Sequence, residues 1–150
     1  MYKHILIPTD GSPLSQQAAE AGVRLAQKLG ARVTGLFAAP PATPVIYRQV
    51  LPVGYATPRE HEKRIRKAVQ HHLGRIEAAA RDAGVACETL SVTSDFPADA
   101  ILAAAAKRKC DLIVMASHSR KGLRGLLLGS ETQKVLARSA VPVLVFRGKS

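Results

Sequence analysis

The chain has 150 residues and a mass of 16.0 kDa, about the size of one domain, and its 47% hydrophobic and 22% charged residues are typical of a soluble globular protein. Its two cysteines, Cys87 and Cys110, form no C-x-x-C pair, which favours reduced thiols in the cytoplasm. No apolar run approaches the roughly 18 residues of a membrane span, and the N-terminus lacks a signal-peptide pattern. The net charge of +11 indicates an anionic partner, which could be nucleic acid, an anionic surface or a phosphorylated small molecule.

The beginning of the chain predicts a strand, a helix and a second strand. The apolar run Lys3–Pro8 is typical of a buried strand. In the helix that follows, Ser12 and Pro13 suit the N-cap and first positions, and Gly30 suits the left-handed position after the last turn. Arg32–Ala38 predicts the second strand, so the chain opens with a parallel β-α-β unit.

The remainder continues the same alternation after a proline-rich segment over Ala39–Pro58. That segment is either a functional loop or a tolerated surface insertion. The predicted elements after it are a helix from the capping box Thr57-Pro58-Arg59-Glu60 to Gly84, a strand over Cys87–Val92, a helix over Asp95–Lys109, a strand over Leu112–Ala116, a loop over Ser117–Gly129, a helix over Ser130–Ser139 and a strand over Val141–Phe146.

This order predicts an α/β fold with a single domain over residues 1–150. We expect a Rossmann-like, three-layer open sandwich in which a five-stranded parallel sheet carries helices on both faces. Pro142 cannot donate a ladder hydrogen bond, so the last strand should lie at a sheet edge or begin irregularly. Ligands of such sheets lie beyond the carboxyl ends of the strands. That rule points to Pro8–Ser12, to Ala38 and to Ala116–Ser130.

Gly129 and Ser130 directly precede a helix, where free N–H groups and the positive end of the helix dipole favour an anion. Ser130-x-x-Gln133 is also a capping box, and capping and phosphate binding do not exclude each other. The preceding loop carries three cations that would either clamp phosphates or form a solvated basic loop: Arg120, Lys121 and Arg124.

Two further polar residues follow predicted strands. Asp10 could bind a ribose hydroxyl or a metal held by phosphates, or it could shape the turn with Gly11. His118 is either a polar contact or the one candidate acid–base group near the site. The sequence contains no G-x-x-x-x-G-K-[ST], G-x-G-x-x-G or G-x-S-x-G motif, and no nucleophile paired with a base. A metal site on the helix that carries His61, His71 and His72 is disfavoured, because no cysteine partners or i, i+4 histidine pair accompany them.

These motifs resemble those of the universal stress proteins along the whole chain. The opening Pro8-Thr9-Asp10-Gly11-Ser12 is similar to the start of that family, and the segments beginning at Met115, Leu127 and Val141 are similar to its C-terminal third. One branch of the family binds ATP through G-x-x-G, nine residues and G-[S/T]. The present chain keeps this spacing, with Ala116 and Ser119 replacing the first two glycines.

The resemblance implies an adenine nucleotide alpha-hydrolase-like fold and a stress-response protein that binds ATP, with or without Mg²⁺, as a regulatory or slowly hydrolysed ligand. It places Asp10 beside the ribose and phosphates, with Pro8 and Thr9 as walls of the pocket, Ala38 in backbone contact with adenine, and Met115 and Ala116 beneath the nucleotide. Ser119, Gly129, Ser130 and Thr132 would meet the phosphates, and His118 and Glu131 are further candidates for nucleotide binding. The family usually forms homodimers through its last strand, here Val141–Phe146.

Two alternatives remain open from the sequence. The substitutions at Ala116 and Ser119 would suit the family's other branch, a nucleotide-free dimeric interaction module. The net charge alone supports a basic nucleic-acid-binding domain, but no recognition motif accompanies it. Seven basic residues against one acid lie between Ser117 and Ser150, in the segment that would face a phosphate tail. This position favours a phosphorylated small ligand over a nucleic-acid polymer.

Overall fold

The computed structural model describes residues 1–39, 57–118 and 128–148. Most of the predicted proline-rich segment and most of the basic loop, including Ser119, Arg120, Lys121 and Arg124, therefore lie outside the described residues. The elements in chain order are β1 (His4–Thr9), α1 (Pro13–Leu29), β2 (Arg32–Ala39), α2 (Pro58–Asp82), β3 (Cys87–Thr93), α3 (Pro97–Lys107), β4 (Leu112–Ser117), α4 (Ser130–Arg138) and β5 (Val143–Arg147).

The five strands form one parallel sheet in the order β3-β2-β1-β4-β5, which confirms the predicted fold class. Ile5 of β1 faces Val33 of β2 on one side and Leu112 of β4 on the other. The strand order reverses between β1 and β4, because the chain adds β2 and β3 on one side and β4 and β5 on the other. The carboxyl ends of these two central strands therefore open a crevice, where ligands of such folds bind.

Helices cover both faces of the sheet because neighbouring residues of each buried strand point to opposite sides. Ile5 and Ile7 pack in a core that α1 and α2 close, with Val23 and Ile76 fully or almost fully buried. Leu6 belongs to the second core, which α3 and α4 close from the other face. No helix in the described part of the chain combines the length and the apolar character needed to cross a membrane.

The local signals of α1 and α2 act as predicted. The Ser12 hydroxyl accepts a hydrogen bond from the Ser15 N–H at 3.1 Å, and Gly30 lies in the left-handed region at φ 64°. Thr57 and Glu60 form the reciprocal capping box at the start of α2. These helix boundaries could be predicted because residues adjacent in sequence fix them.

Several predicted boundaries are wrong by one or two residues, and two of them have a clear physical cause. The last strand, predicted over Val141–Phe146, is Val143–Arg147; the Pro142 carbonyl accepts from the Ile113 N–H at 3.0 Å, but proline has no N–H to continue the ladder. The strand does lie at the sheet edge. The third helix begins at Pro97 instead of Asp95, because the Ser94 hydroxyl accepts the Phe96 N–H at 3.0 Å and holds a turn before the helix.

Candidate functional site

A cavity of about 460 Å³ opens at the carboxyl ends of β1 and β4, within the size range of small-molecule sites. Every predicted site residue that the structure describes lines this cavity: Pro8, Thr9, Asp10, Ala38, Met115, Ala116, His118, Gly129, Ser130, Glu131 and Thr132. Ser119 lies outside the described residues. Sequence reasoning missed Ser15, Pro97 and Ile101, which α1 and α3 bring to the same cavity. Of these, Pro97 follows the carboxyl end of β3, and that position could have indicated it.

The inner wall of the cavity is apolar. Met115 and Ile101 are almost fully buried, and Pro8, Ala38 and Pro97 complete this part of the lining. A flat, weakly polar ring would lose water here and gain close contacts, as ligands of such clefts do. Polar residues line the same cavity, among them Asp10, His118 and Ser130, so the cavity offers both apolar and polar contacts.

The turn after β1 is held by its own hydroxyl groups. The Gly11 N–H donates to Thr9 Oγ1 at 3.1 Å, and the Thr9 and Ser15 hydroxyls lie 2.9 Å apart. The Ser12 N–H donates to Asp10 Oδ1 at 2.9 Å. These bonds fix the backbone of the turn and leave the second carboxylate oxygen of Asp10 directed elsewhere.

That second oxygen, Asp10 Oδ2, lies 3.1 Å from His118 Nε2. Burial by itself would raise the pKa of Asp10, but hydrogen bonding from Ser12 and Ser15 and the charge of His118 outweigh it, and the pKa is lowered. Asp10 is therefore ionised at neutral pH. An ionised carboxylate at the mouth can accept hydrogen bonds from vicinal hydroxyl groups such as those of a ribose.

Ser12, His118 and Asp10 do not form a nucleophile relay. His118 Nε2 lies 3.1 Å from the Ser12 hydroxyl and 3.1 Å from Asp10, so one ring nitrogen faces both partners. In a catalytic triad the acid orients the opposite ring nitrogen from the nucleophile. The Ser12 hydroxyl also caps α1. This cluster therefore lacks the geometry of an acyl-transfer triad.

The start of α4 faces the cavity with free donors. The Gly129 N–H donates to the buried Ser117 hydroxyl at 3.0 Å, and the first helical bond runs from the Gln133 N–H to the Gly129 carbonyl. Within the described residues, the N–H groups of Ser130, Glu131 and Thr132 have no acceptor, as the first N–H groups of a helix do not. Three adjacent donors at the positive end of a helix dipole can hold an anion such as phosphate.

The predicted capping box at Ser130 is wrong. Gly129 is the N-cap of α4, no side chain caps the helix, and Ser130 is already its first helical residue. The Gln133 side chain instead donates to the Leu128 carbonyl at 2.6 Å. The Ser130 hydroxyl is exposed and remains available for a ligand.

Glu131 has a role that its sequence position did not indicate. Its Oε2 accepts the Ala98 N–H of α3 at 2.9 Å, and its Oε1 lies 3.1 Å from the Lys134 ammonium. Because Phe96, the N-cap of α3, makes no side-chain cap, the Glu131 carboxylate supplies the missing acceptor. One wall of the cavity is thus held by a contact between α3 and α4.

Within residues 1–39, 57–118 and 128–148, no group of three or more His, Cys, Asp or Glu side chains is placed to hold a metal ion. The donors that the cavity does offer are backbone N–H groups, hydroxyls and the Asp10 carboxylate. This set matches an organic phosphate whose sugar and phosphates meet polar groups while its base meets the apolar wall.

Comparisons with known proteins identify one family. The model of the universal stress protein family matches residues 1–147. A universal stress protein of Thermus aquaticus is 35% identical, over 98% of this chain and 100% of that protein. The solved structure of the hypothetical protein MJ0577, a universal stress protein of Methanocaldococcus jannaschii, superposes with a TM-score of 0.75 at 25% identity, covering 100% of this chain and 99% of that one. A universal stress protein solved in complex with cAMP superposes with a TM-score of 0.69 at 24% identity, covering 97% of each chain.

Proposed function

Because the chain belongs to the universal stress protein family, we propose that it binds an adenine nucleotide, ATP in the first place, in the cavity between β1 and β4. The nucleotide acts as a regulatory ligand of a cytoplasmic stress-response protein, and any hydrolysis is slow. The whole chain, residues 1–150, serves as one domain. The observation that carries the proposal is the row of N–H groups of Ser130, Glu131 and Thr132, for which the described residues offer no acceptor, at a cavity that is also lined by Met115 and Ile101.

Different parts of the nucleotide contact different parts of the cavity lining. The adenine ring lies against Met115 and Ile101, with the backbone at Ala38 beside it, and the ribose hydroxyls donate to Asp10. The phosphates lie at the start of α4. The relative solved with cAMP has the same fold, and in that protein the fold holds an adenine nucleotide. Ala116 adds only a methyl group to the lining where the ATP-binding pattern has glycine.

Substitution of one residue separates the phosphate contact from the rest of the site. Ser130→Pro removes the N–H at the first helical position, and α1, α2 and α3 already begin with proline there. Gly129 has φ −58° and ψ 153°, a conformation that the residue before a proline favours, so α4 should still form. Ser130→Ala is the matched control because it removes the hydroxyl and keeps the N–H.

We expect calorimetry with ATP and Mg²⁺ to detect binding to the wild type. Ser130→Pro should weaken ATP binding about tenfold, as expected for one hydrogen bond to a charged group. Adenosine, which has no phosphate, should bind Ser130→Pro and the wild type equally. If the folded wild type binds neither ATP nor adenosine, the nucleotide proposal fails and the chain belongs to the nucleotide-free kind of interaction module.

We also propose that the protein forms a homodimer through the exposed edge of β5. Leu144 on this strand is 44% exposed, unusual for a large apolar side chain, and within the described residues one edge of the strand pairs with no other strand. Sedimentation equilibrium should give a mass near twice 16.0 kDa for the wild type. Leu144→Lys should shift the population towards monomer, and a wild type that is monomeric at high concentration would refute the dimer.

A further inference from the structure

His72 of α2 packs against the Asp10 turn from outside the cavity. Gly11, the residue after Asp10, has φ +82°, and a Cβ built there would lie 2.5 Å from His72 Nε2 and 2.7 Å from His72 Cδ2. The edge of the imidazole thus occupies the space that a side chain at position 11 would need. The turn cannot move towards α2 without displacing this ring.

The same ring also touches the end of β2. Its centroid lies 6.0 Å from that of Phe37, and the two planes differ by 3°, so the rings are stacked. Phe37 is buried and directly precedes Ala38, whose backbone lines the cavity. His72 therefore contacts the Asp10 turn and the end of β2, two segments that contribute lining residues, although His72 does not line the cavity itself.

The charges around His72 favour its neutral form. Burial lowers the pKa of His72 first, and the nearby His71 and Arg75 on the same helix lower it further. Asp10, on the turn, acts in the opposite direction with less effect. From β2 the ring meets Phe37, which carries no charge. At neutral pH the ring is thus an uncharged aromatic wedge between the turn and β2.

We propose that His72 is a positioning residue for the nucleotide site: its neutral ring holds Gly11 and Phe37 in place, and protonation of the ring releases them and weakens ligand binding. The inference rests on the proposed function, since it assigns a regulation to that same site. The ring is partly exposed, but a charged imidazole would lack water on the sides that pack on Phe37 and Gly11. Acidification thus loosens the turn that presents Asp10.

The first test is done with adenosine, because it has no group that titrates near neutral pH. At pH 8 we expect His72→Ala to bind adenosine about tenfold more weakly than the wild type, the size of effect that follows from misplacing a supporting side chain. His72→Phe keeps a flat ring and should restore binding to within about threefold. Gln70→Ala, at an exposed position of α2, is the matched control and should bind like the wild type.

The second test is the pH profile of adenosine binding between pH 8 and pH 5.5. Affinity should fall on acidification for the wild type and stay flat for His72→Phe. If His72 had a merely structural role, replacing it would lower adenosine affinity by the same factor at every pH. The pH profile of the variant would then keep the shape of the wild-type profile. An equal fall for the wild type and His72→Phe would overturn the proposal and assign the dependence to another group, such as His118.

A third measurement needs no ligand. In a ¹H–¹⁵N correlation spectrum, the Gly11 amide signal should move with pH in the wild type and in His118→Asn, and should stay in place in His72→Phe. Suppose that the wild type binds adenosine and that the Gly11 signal of His72→Phe moves with pH as it does in the wild type. The inference is then wrong, while the proposed function stands. If the wild type does not bind adenosine, both are wrong, and a Gly11 signal that follows His72 would then describe the turn alone.

Discussion

The carboxylate of Glu131, in the first turn of α4, accepts a hydrogen bond from the Ala98 N–H at the start of α3, 2.9 Å away. This bond replaces the side-chain cap that Phe96 does not provide. It also places an internal anion at the positive end of α3, whereas the first N–H groups of α4 have no acceptor among the described residues. In the described part of the chain, the start of α4 is thus better suited than that of α3 to receive a ligand anion.

Glu131→Ala should reduce the free energy of unfolding by about 1 kcal/mol, the usual cost of a lost helix N-cap. Glu131→Gln should lose less, because the amide oxygen can still accept from Ala98. Urea denaturation followed by circular dichroism measures both. Glu62→Ala, at an exposed position of α2, controls for the loss of a surface acid and should leave stability almost unchanged. Equal losses for Glu131→Ala and Glu131→Gln would argue against the cap.

His4 makes stability depend on pH. The ring is 3% exposed, its Nε2 lies 2.7 Å from the Thr34 hydroxyl, and its Nδ1 is buried without a partner in the described structure. Burial, followed by the charge of Arg32, lowers the pKa of His4. Because the unfolded chain binds the proton more readily, the stability present above the ordinary histidine pKa of 6.5 is lost as the pH falls below it towards the folded value.

We therefore expect the wild type to become less stable between pH 7 and pH 5, and His4→Phe to show a smaller slope over this range. Thermal unfolding at a series of pH values measures the effect. His72, whose pKa is also lowered, contributes to the same slope, so the double variant His4→Phe/His72→Phe should be the flattest. A slope that His4→Phe leaves unchanged would show that His4 is not protonated on unfolding in this range.

How far the fold could be predicted depended on how local each signal is. The caps at Ser12 and Thr57 involve residues three positions apart, so the local sequence alone is enough to predict them. Ser130 has the same local pattern, yet Gly129 caps α4, because Ser117 in β4 binds the Gly129 N–H and fixes where the helix begins. A contact between the end of β4 and the start of α4 sets that boundary, and the residues next to Ser130 do not reveal this contact.

The same distinction applies to the candidate site. Asp10 and Gly129 follow or precede an element directly, so the strand-end rule could point to them, and both line the cavity. Ile101 lies within α3, and its place in the lining depends on how that helix crosses the sheet. The packing of His72 on Gly11 depends likewise on the position of α2. Periodicity predicts that such helices are amphipathic, but it does not give their neighbours.

Asp111 fixes the start of β1 through two backbone contacts. Its carboxylate oxygens accept the Lys3 N–H at 2.9 Å and the His4 N–H at 3.0 Å. Burial would raise the pKa of Asp111, but these bonds outweigh it and lower the pKa below 3.8. The stabilisation is therefore present above that value and is lost as the pH falls through the lower, folded pKa.

Asp111→Asn should reduce the free energy of unfolding at pH 7 by about 1 kcal/mol. The asparagine amide has only one oxygen, so it can accept only one of the two N–H groups, and it carries no charge to strengthen that bond. The difference from the wild type should shrink as the pH falls below 3.8, because the carboxylate of the unfolded wild type then takes up a proton more readily than that of the folded protein. Urea denaturation at pH 7 and near pH 3 gives both values. A difference that stays constant with pH would mean that the carboxylate charge is not what stabilises this end of β1.

Helices α2 and α3 end in the same hydrogen-bonded motif with different residues at its left-handed position. In α2 the Val85 N–H donates to the Ala80 carbonyl at 2.8 Å and Gly84 has φ +67°. In α3 the Cys110 N–H donates to the Ala105 carbonyl at 2.9 Å, and the left-handed residue is Lys109 at φ +54°. A side chain in this conformation brings its Cβ too close to the backbone, so Lys109 is strained where Gly84 is not.

Lys109→Gly should raise the free energy of unfolding by about 0.5–1 kcal/mol, because relief of the left-handed strain exceeds the entropy that glycine adds to the unfolded chain. Gly84→Ala is the reciprocal control: a Cβ there would meet nothing within 4 Å, so any loss comes from backbone strain alone. Urea unfolding should show the two variants shifted in opposite directions. Lys109→Ala distinguishes strain from charge, since it removes the ammonium and keeps the Cβ. If Lys109→Ala stabilises the protein as much as Lys109→Gly does, charge repulsion on the Lys109 ammonium, and not backbone strain, limits stability at this position.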